Sequence, residues 1–113
     1  MKKLFLIFAI SFLFNVVSAQ EAEVIETELK VSGVCDMCKE RIEKSIEIEE
    51  VKYSKWNKRN SMLFVAYESS VTADSLQKRI AAAGHDTELY KAAESDYNKL
   101  PKCCRYRDNI KTH

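Results

Sequence analysis

VSGVCDMCKERIEKSI, Val31 to Ile46, sets two cysteines three positions apart where a polar loop gives way to a charged amphipathic segment. Gly33 permits a sharp loop, and Asp36 is placed to cap the helix that follows. Within that helix, read over Lys39 to Ile48, Cys38, Ile42 and Ile46 are spaced by four and share one face. Lys39, Glu40, Glu43, Lys44 and Glu47 fall mostly outside it.

The flanking periods place this helix in a small mixed fold. Before it, Ile25, Thr27, Leu29 and Val31 recur at every second residue, as in a strand with one buried face. After it, Val51 to Asn57 and Met62 to Tyr67 read as strands joined by a turn at Lys58-Arg59-Asn60-Ser61. Thr72-Ala73-Asp74-Ser75 opens a second helix with an apolar stripe of Val71, Leu76, Ile80 and Ala83, closed by Gly84. Asp86 to Ala92 reads as a short last strand. The order is βαββαβ, an α+β ferredoxin-like sandwich with two helices on one face of a four-stranded antiparallel sheet. Residues 93–113 are polar, carry the sole proline, Pro101, and read as a tail.

At the other end, Lys2 and Lys3 precede the apolar run Leu4 to Val17, and Val17-Ser18-Ala19 offers a signal-peptidase site. Residues 1–19 therefore read as a cleaved secretory signal. The alternative, a membrane anchor, needs about 20 apolar residues, and this run is shorter and interrupted by Ser11 and Asn15. The expectation is an exported protein, periplasmic or secreted, with no membrane insertion after cleavage. Removing two lysines and no acid turns the formal net charge of +1 into −1, which argues against a nucleic-acid partner. Ninety-four residues remain, enough for one domain with a modest core. All four cysteines, at 35, 38, 103 and 104, lie in this part, where an oxidising compartment permits disulfides.

A Cys-x-x-Cys pair at a helix start holds its sulfurs near unpaired backbone N–H groups and the positive end of the macrodipole, which favours thiolate. Lys39 adds to this and Asp36 opposes it. Two thiolates without a fixed third and fourth ligand suit Cu(I) or another thiophilic ion better than Mg²⁺ or Ca²⁺. A structural zinc site needs four ligands. The same spacing serves thiol–disulfide oxidoreductases, but those enzymes also set a proline against the cysteines, and Pro101 lies beyond the last expected strand. A third reading is an adaptor whose cysteines form structural disulfides, although a bridge closing so short a loop constrains the unfolded chain little.

In this order of elements, Val31 to Cys38 after a first strand, the helix Lys39 to Ile48, and Ala83-Gly84-His85-Asp86 before a last strand resemble the heavy-metal-associated domain family. That family serves copper chaperones, mercury-binding periplasmic proteins and metal-pumping ATPases, and the chain resembles exported bacterial members like the copper chaperones and mercury-binding proteins. The resemblance covers residues 24–92. It implies that Cys35 and Cys38 bind a soft metal, Cu(I) first and zinc, mercury or cadmium as other candidates, and pass it to a protein partner by thiolate exchange without catalysing a reaction. The sequence departs from the family loop Gly-Met-x-Cys-x-x-Cys: Gly33-Val34-Cys35 is one residue shorter, with Val34 in place of the methionine under the site.

Further candidates surround this pair. His85, in the loop after the second helix, is either a surface histidine or a group that approaches the metal. Met37 offers a thioether or an apolar docking contact. Met62, Phe64, Trp56, Tyr53 and Tyr67 read as core or sheet-face residues, and His113 as a loose end. Cys103 and Cys104 are adjacent and strain against pairing with each other. They remain as additional metal ligands, as free thiols, or as links in a metal- or disulfide-bridged homodimer.

Overall fold

The computed structural model describes residues 23–108; the expected signal at 1–19 and His113 lie outside them. Three antiparallel strands form the sheet: β1 (Val24–Lys30), β2 (Val51–Asn57) and β3 (Met62–Glu68), in the order β1-β3-β2. β3 is central and apolar along nearly its whole length; Leu63, Val65 and Tyr67 are buried on one face, opposite Leu29 and Thr27 of β1 and Trp56 of β2. The other face carries Phe64, Met62 and Tyr53, with Tyr53 and Phe64 in contact at a ring separation of 5.9 Å. Of the aromatic residues read as core or sheet-face residues, Trp56 and Tyr67 are buried in the core and Tyr53 is exposed on this outer face.

Helices α1 (Asp36–Ser45) and α2 (Ala73–Ala82) cover the buried face with Cys38, Ile42, Leu76 and Ile80. α2 begins as its sequence dictates. Thr72 Oγ1 accepts from the Ser75 amide at 3.0 Å, and the Thr72 amide donates to Ser75 Oγ at 3.4 Å. It ends at Gly84, whose φ of +105° lets the His85 amide reach back to Ile80 O and the Gly84 amide to Ala81 O. α1 is capped differently from the expectation: Cys35, not Asp36, is the extended N-cap residue, and Lys39 N donates to Cys35 O.

The expected fourth strand is absent among the described residues. One bridge, Val31 with Thr87, and a bond from Ser32 N to Asp86 O mark its place beside β1. The rest of residues 86–92 uses its backbone groups elsewhere. Thr87 N donates to Tyr90 O and Tyr90 N to Thr87 Oγ1, which closes a tight turn. Leu89 N donates to Gln77 Oε1 and Ala92 N to Asp86 Oδ1. The Lys30 amide of β1 is taken by the Glu88 carboxylate at 3.0 Å. On the opposite side of the sheet, Glu43 of α1 accepts the Trp56 amide of β2 at 2.8 Å.

The stretch expected to be a tail packs against the domain through its described part. After Ala93 come α3 (Glu94–Tyr97) and a 3-10 turn (Lys102–Cys104), and Tyr97, Leu100 and Cys104 are buried in the same core as Ile42 and Ile80. Burying a side chain the size of Leu100 is worth about 1.5–3 kcal/mol, which favours the docked state. Polar contacts then fix its position. Tyr106 Oη accepts from Asp86 N at 2.9 Å and donates to Gly84 O at 2.7 Å, and Arg107 Nη2 donates to Asp86 Oδ1 at 2.7 Å and to Ala92 O at 2.8 Å. The segment 94–108 is a strap tied across the loop that follows α2. No helix among the described residues is long and apolar enough to cross a membrane.

Candidate metal centre

The end of β1 and the loop 31–35 rest on Trp56. Its indole Nε1–H donates to Val31 O at 2.9 Å, and its ring lies where a side chain at Gly33 would stand: an added Cβ would meet Trp56 Cη2 and Cζ2 at 3.0 Å and Cys38 Cβ at 3.1 Å. A bare glycine is therefore what allows the loop to press onto the indole and still turn into α1. Val34 is buried in the core, and its amide donates to Cys38 Sγ at 3.4 Å.

This loop brings Cys35 Sγ to 3.4 Å from Cys38 Sγ, and the strap brings Cys104 Sγ to 3.5 Å from Cys35 Sγ. The three sulfurs lie within 4.8 Å of one another, and all four cysteines are free thiols. Ligands about 2.3 Å from one ion stand about 3.8 Å apart in a tetrahedral set and about 4.0 Å apart in a trigonal one. The Cys35–Cys38 and Cys35–Cys104 separations are a few tenths of an ångström short of these spacings, close to what one ion requires. Cys38 and Cys104 are fully buried and Cys35 is half-buried, so the set opens to solvent at Cys35.

Burial works to raise the Cys35 thiol, but the Cys38 amide and the thiols of Cys38, Cys104 and Cys103 outweigh it and hold Cys35 below the ordinary thiol value. Burial dominates at Cys38 and Cys104, and both are pushed up. Cys35 is therefore the first of the trio to supply a thiolate. The two charges expected to act on the pair each have a partner: Lys39 faces Glu43, and Asp36 faces Lys58 at 3.3 Å.

No family model and no curated protein matches the chain. Among solved structures, 56% of the chain is similar to 98% of the CopZ metallochaperone, at 27% identity and a TM-score of 0.53. The yeast copper transporter domain CCC2A, whose structure is known in apo and Cu(I)-loaded states, is likewise 27% identical, over 60% of this chain and 97% of its own, with a TM-score of 0.53. The fold is the one that this metallochaperone and this copper transporter domain share. Oxidized MerP from Ralstonia metallidurans shares the fold alone, at 22% identity and a TM-score of 0.55 over 58% of this chain and 96% of its own.

Within this fold the remaining candidates separate. His85 is buried, not at the surface, and stands outside the thiol set. Its Nδ1–H donates to Ser32 O at 2.8 Å, its ring stacks on Tyr106 at 5.6 Å, and Nε2 has no partner among the described residues. Burial lowers its pKa from 6.5 to about 4, so it is neutral at pH 7. Cys103 is exposed; its Sγ is 3.6 Å from Cys35 Sγ and 3.8 Å from Met37 Sδ. Sequence reasoning missed Tyr97, Tyr106 and Arg107, which hold Cys104 in place. The signal was there in Tyr97, Leu100, Cys104 and Tyr106, apolar or aromatic side chains recurring at three- or four-residue or shorter intervals in a stretch that is otherwise polar.

Proposed function

We propose that this protein carries or buffers a soft metal ion, Cu(I) foremost, and hands it to a protein partner by thiolate exchange without catalysing a reaction. The observation that carries the reading is the convergence of the Cys35, Cys38 and Cys104 sulfurs at the start of α1. A buried trio of thiols suits a d10 ion that accepts two or three sulfur ligands, and the exposed side of Cys35 gives an incoming thiolate its line of approach. Each thiol that ligates releases its proton to solvent. The likeness to a metallochaperone and to a copper transporter domain supports the carrier role. The apolar run Leu4 to Val17 supports export, which places the exchange in a periplasmic or extracellular setting.

The test is Cu(I) binding by the full chain, reduced and anaerobic, against a competing chelator. Cys35→Ser with Cys38→Ser is expected to abolish competitive binding while the fold persists. Unchanged affinity in that double variant overturns the assignment.

A further inference from the structure

We propose a second, outer position for a soft metal ion, held by Cys103 and Met37 and sharing the Cys35 sulfur with the inner three-cysteine site. It rests on the reading of that inner site as a soft-metal site.

Donors to one ion at about 2.3 Å cannot stand more than about 4.6 Å apart. Cys35, Cys38 and Cys104 lie close enough to one another to approach that limit, but Cys103 falls outside their set and touches it only at Cys35. It therefore adds sulfur beside the inner ion rather than to it. Cys103 also meets the Met37 thioether, so its sulfur contacts Cys35 at 3.6 Å and Met37 at 3.8 Å. Met37 is 47% exposed, and the other exposed positions of α1 are Asp36, Glu40 and Lys44. An apolar side chain at that one solvent-facing position is accounted for by a soft donor.

Neither donor dangles from a loose end. Met37 lies in the first turn of α1, and Cys103 is in the 3-10 turn closed by the bond from Cys104 N to Pro101 O. A thiolate has lone pairs enough to bridge two soft ions, and Cys35, between the buried and the exposed sulfurs, is placed to do so. The outer ion would have one thiolate of its own, one shared thiolate and a neutral thioether, in contact with water. It is the weaker and more exchangeable of the two.

The experiment is an anaerobic Cu(I) titration of the reduced full chain against a chelator, with native mass spectrometry to count ions per monomer. Two equivalents are expected on a monomer, the second weaker by about tenfold or more. Cys103→Ser with Met37→Leu, both exposed positions, is expected to remove the second equivalent and leave the first unchanged. A single equivalent in the native chain, a second equivalent that survives in the double variant, or one that binds only as the chain dimerises overturns the outer site and leaves the inner one standing. Failure of the native chain to retain any Cu(I) overturns both.

Discussion

Cys104 Sγ lies 3.5 Å from Cys35 Sγ although 69 positions separate the two residues. The contact joins the first loop of the domain to its C-terminal strap and turns a two-cysteine loop into a three-sulfur site. What holds the strap therefore also sets the metal chemistry.

If Cys104 is a ligand, Cys104→Ala is expected to weaken Cu(I) binding by about tenfold or more, equivalent to about 1.4 kcal/mol. Its cost to the fold should stay near the usual ~1 kcal/mol of a single substitution. Chelator competition reads the first quantity, and X-ray absorption at the metal edge should show one sulfur fewer. An unchanged sulfur count places Cys104 beside the ion rather than on it.

The strap can be loosened without touching a thiol. Tyr106→Phe removes the acceptor of the Asp86 amide and the donor to Gly84 O, a loss of about 1–3 kcal/mol where a buried group is left unpaired. Lower thermal stability is expected together with faster amide exchange at Tyr97, Leu100 and Cys104. Cu(I) affinity should fall with it, and full affinity in this variant separates the strap from the site.

Acid should act through His85. The folded protein holds its imidazole neutral down to about pH 4, whereas the unfolded chain protonates it near pH 6.5. Between these values the unfolded state binds more protons, so stability falls as pH falls, by about 3 kcal/mol across the window. Urea unfolding at pH 7 and pH 4.5, compared between the native chain and His85→Asn, isolates this share. A pH dependence that is the same in both would assign the acid sensitivity to other groups.

Gly84→Ala meets two obstacles at once: a φ of +105° and a Cβ that would stand 3.0 Å from Asp96 O and from Leu100 Cδ2. A loss of about 1–3 kcal/mol is expected, felt in α2's C-terminus and in the strap together. Denaturant unfolding with hydrogen exchange checks both, and a loss confined to α2 would show that the strap accommodates the methyl group.

The competing chemistry, disulfide exchange, has its own readout. The Cys35 thiol is held below its ordinary value, the direction that favours an attacking thiolate, yet little reductase activity is expected if the thiols serve a metal. Insulin reduction comparable to a thioredoxin-like control, and lost in Cys35→Ser, would favour the oxidoreductase reading.

Local signals made much of this fold legible. Ile25 to Val31 alternate, Met62 to Tyr67 are rich in aromatic and branched residues, the Thr72–Ser75 start and Gly84 end of α2 are encoded in single residues, and Cys35-x-x-Cys38 announces its chemistry by spacing. What stayed hidden depended on partners distant in sequence. Residues 86–92 have strand-like alternation, but Gln77, Asp86 and Thr87 supply side-chain bonds that compete with the ladder. His85 sits in a loop between Gly84 and Asp86, and its burial depends on partners distant in sequence, among them Tyr106, twenty-one positions later. Cys104 could be suspected from reach alone; its place beside Cys35 required the docking of Leu100 and Tyr97.

The two glutamate bonds on the sheet carry a consequence for how other proteins can meet this one. Glu88 occupies an outward amide of β1, and Glu43 an outward amide of β2. A visiting strand would have to displace a carboxylate at either margin, so recruitment by sheet extension is disfavoured, and so is the runaway pairing of copies that open margins invite. That leaves the sulfur-bearing tip as the open place for a partner to dock, and under the proposed carrier role contact and metal exchange would be a single event.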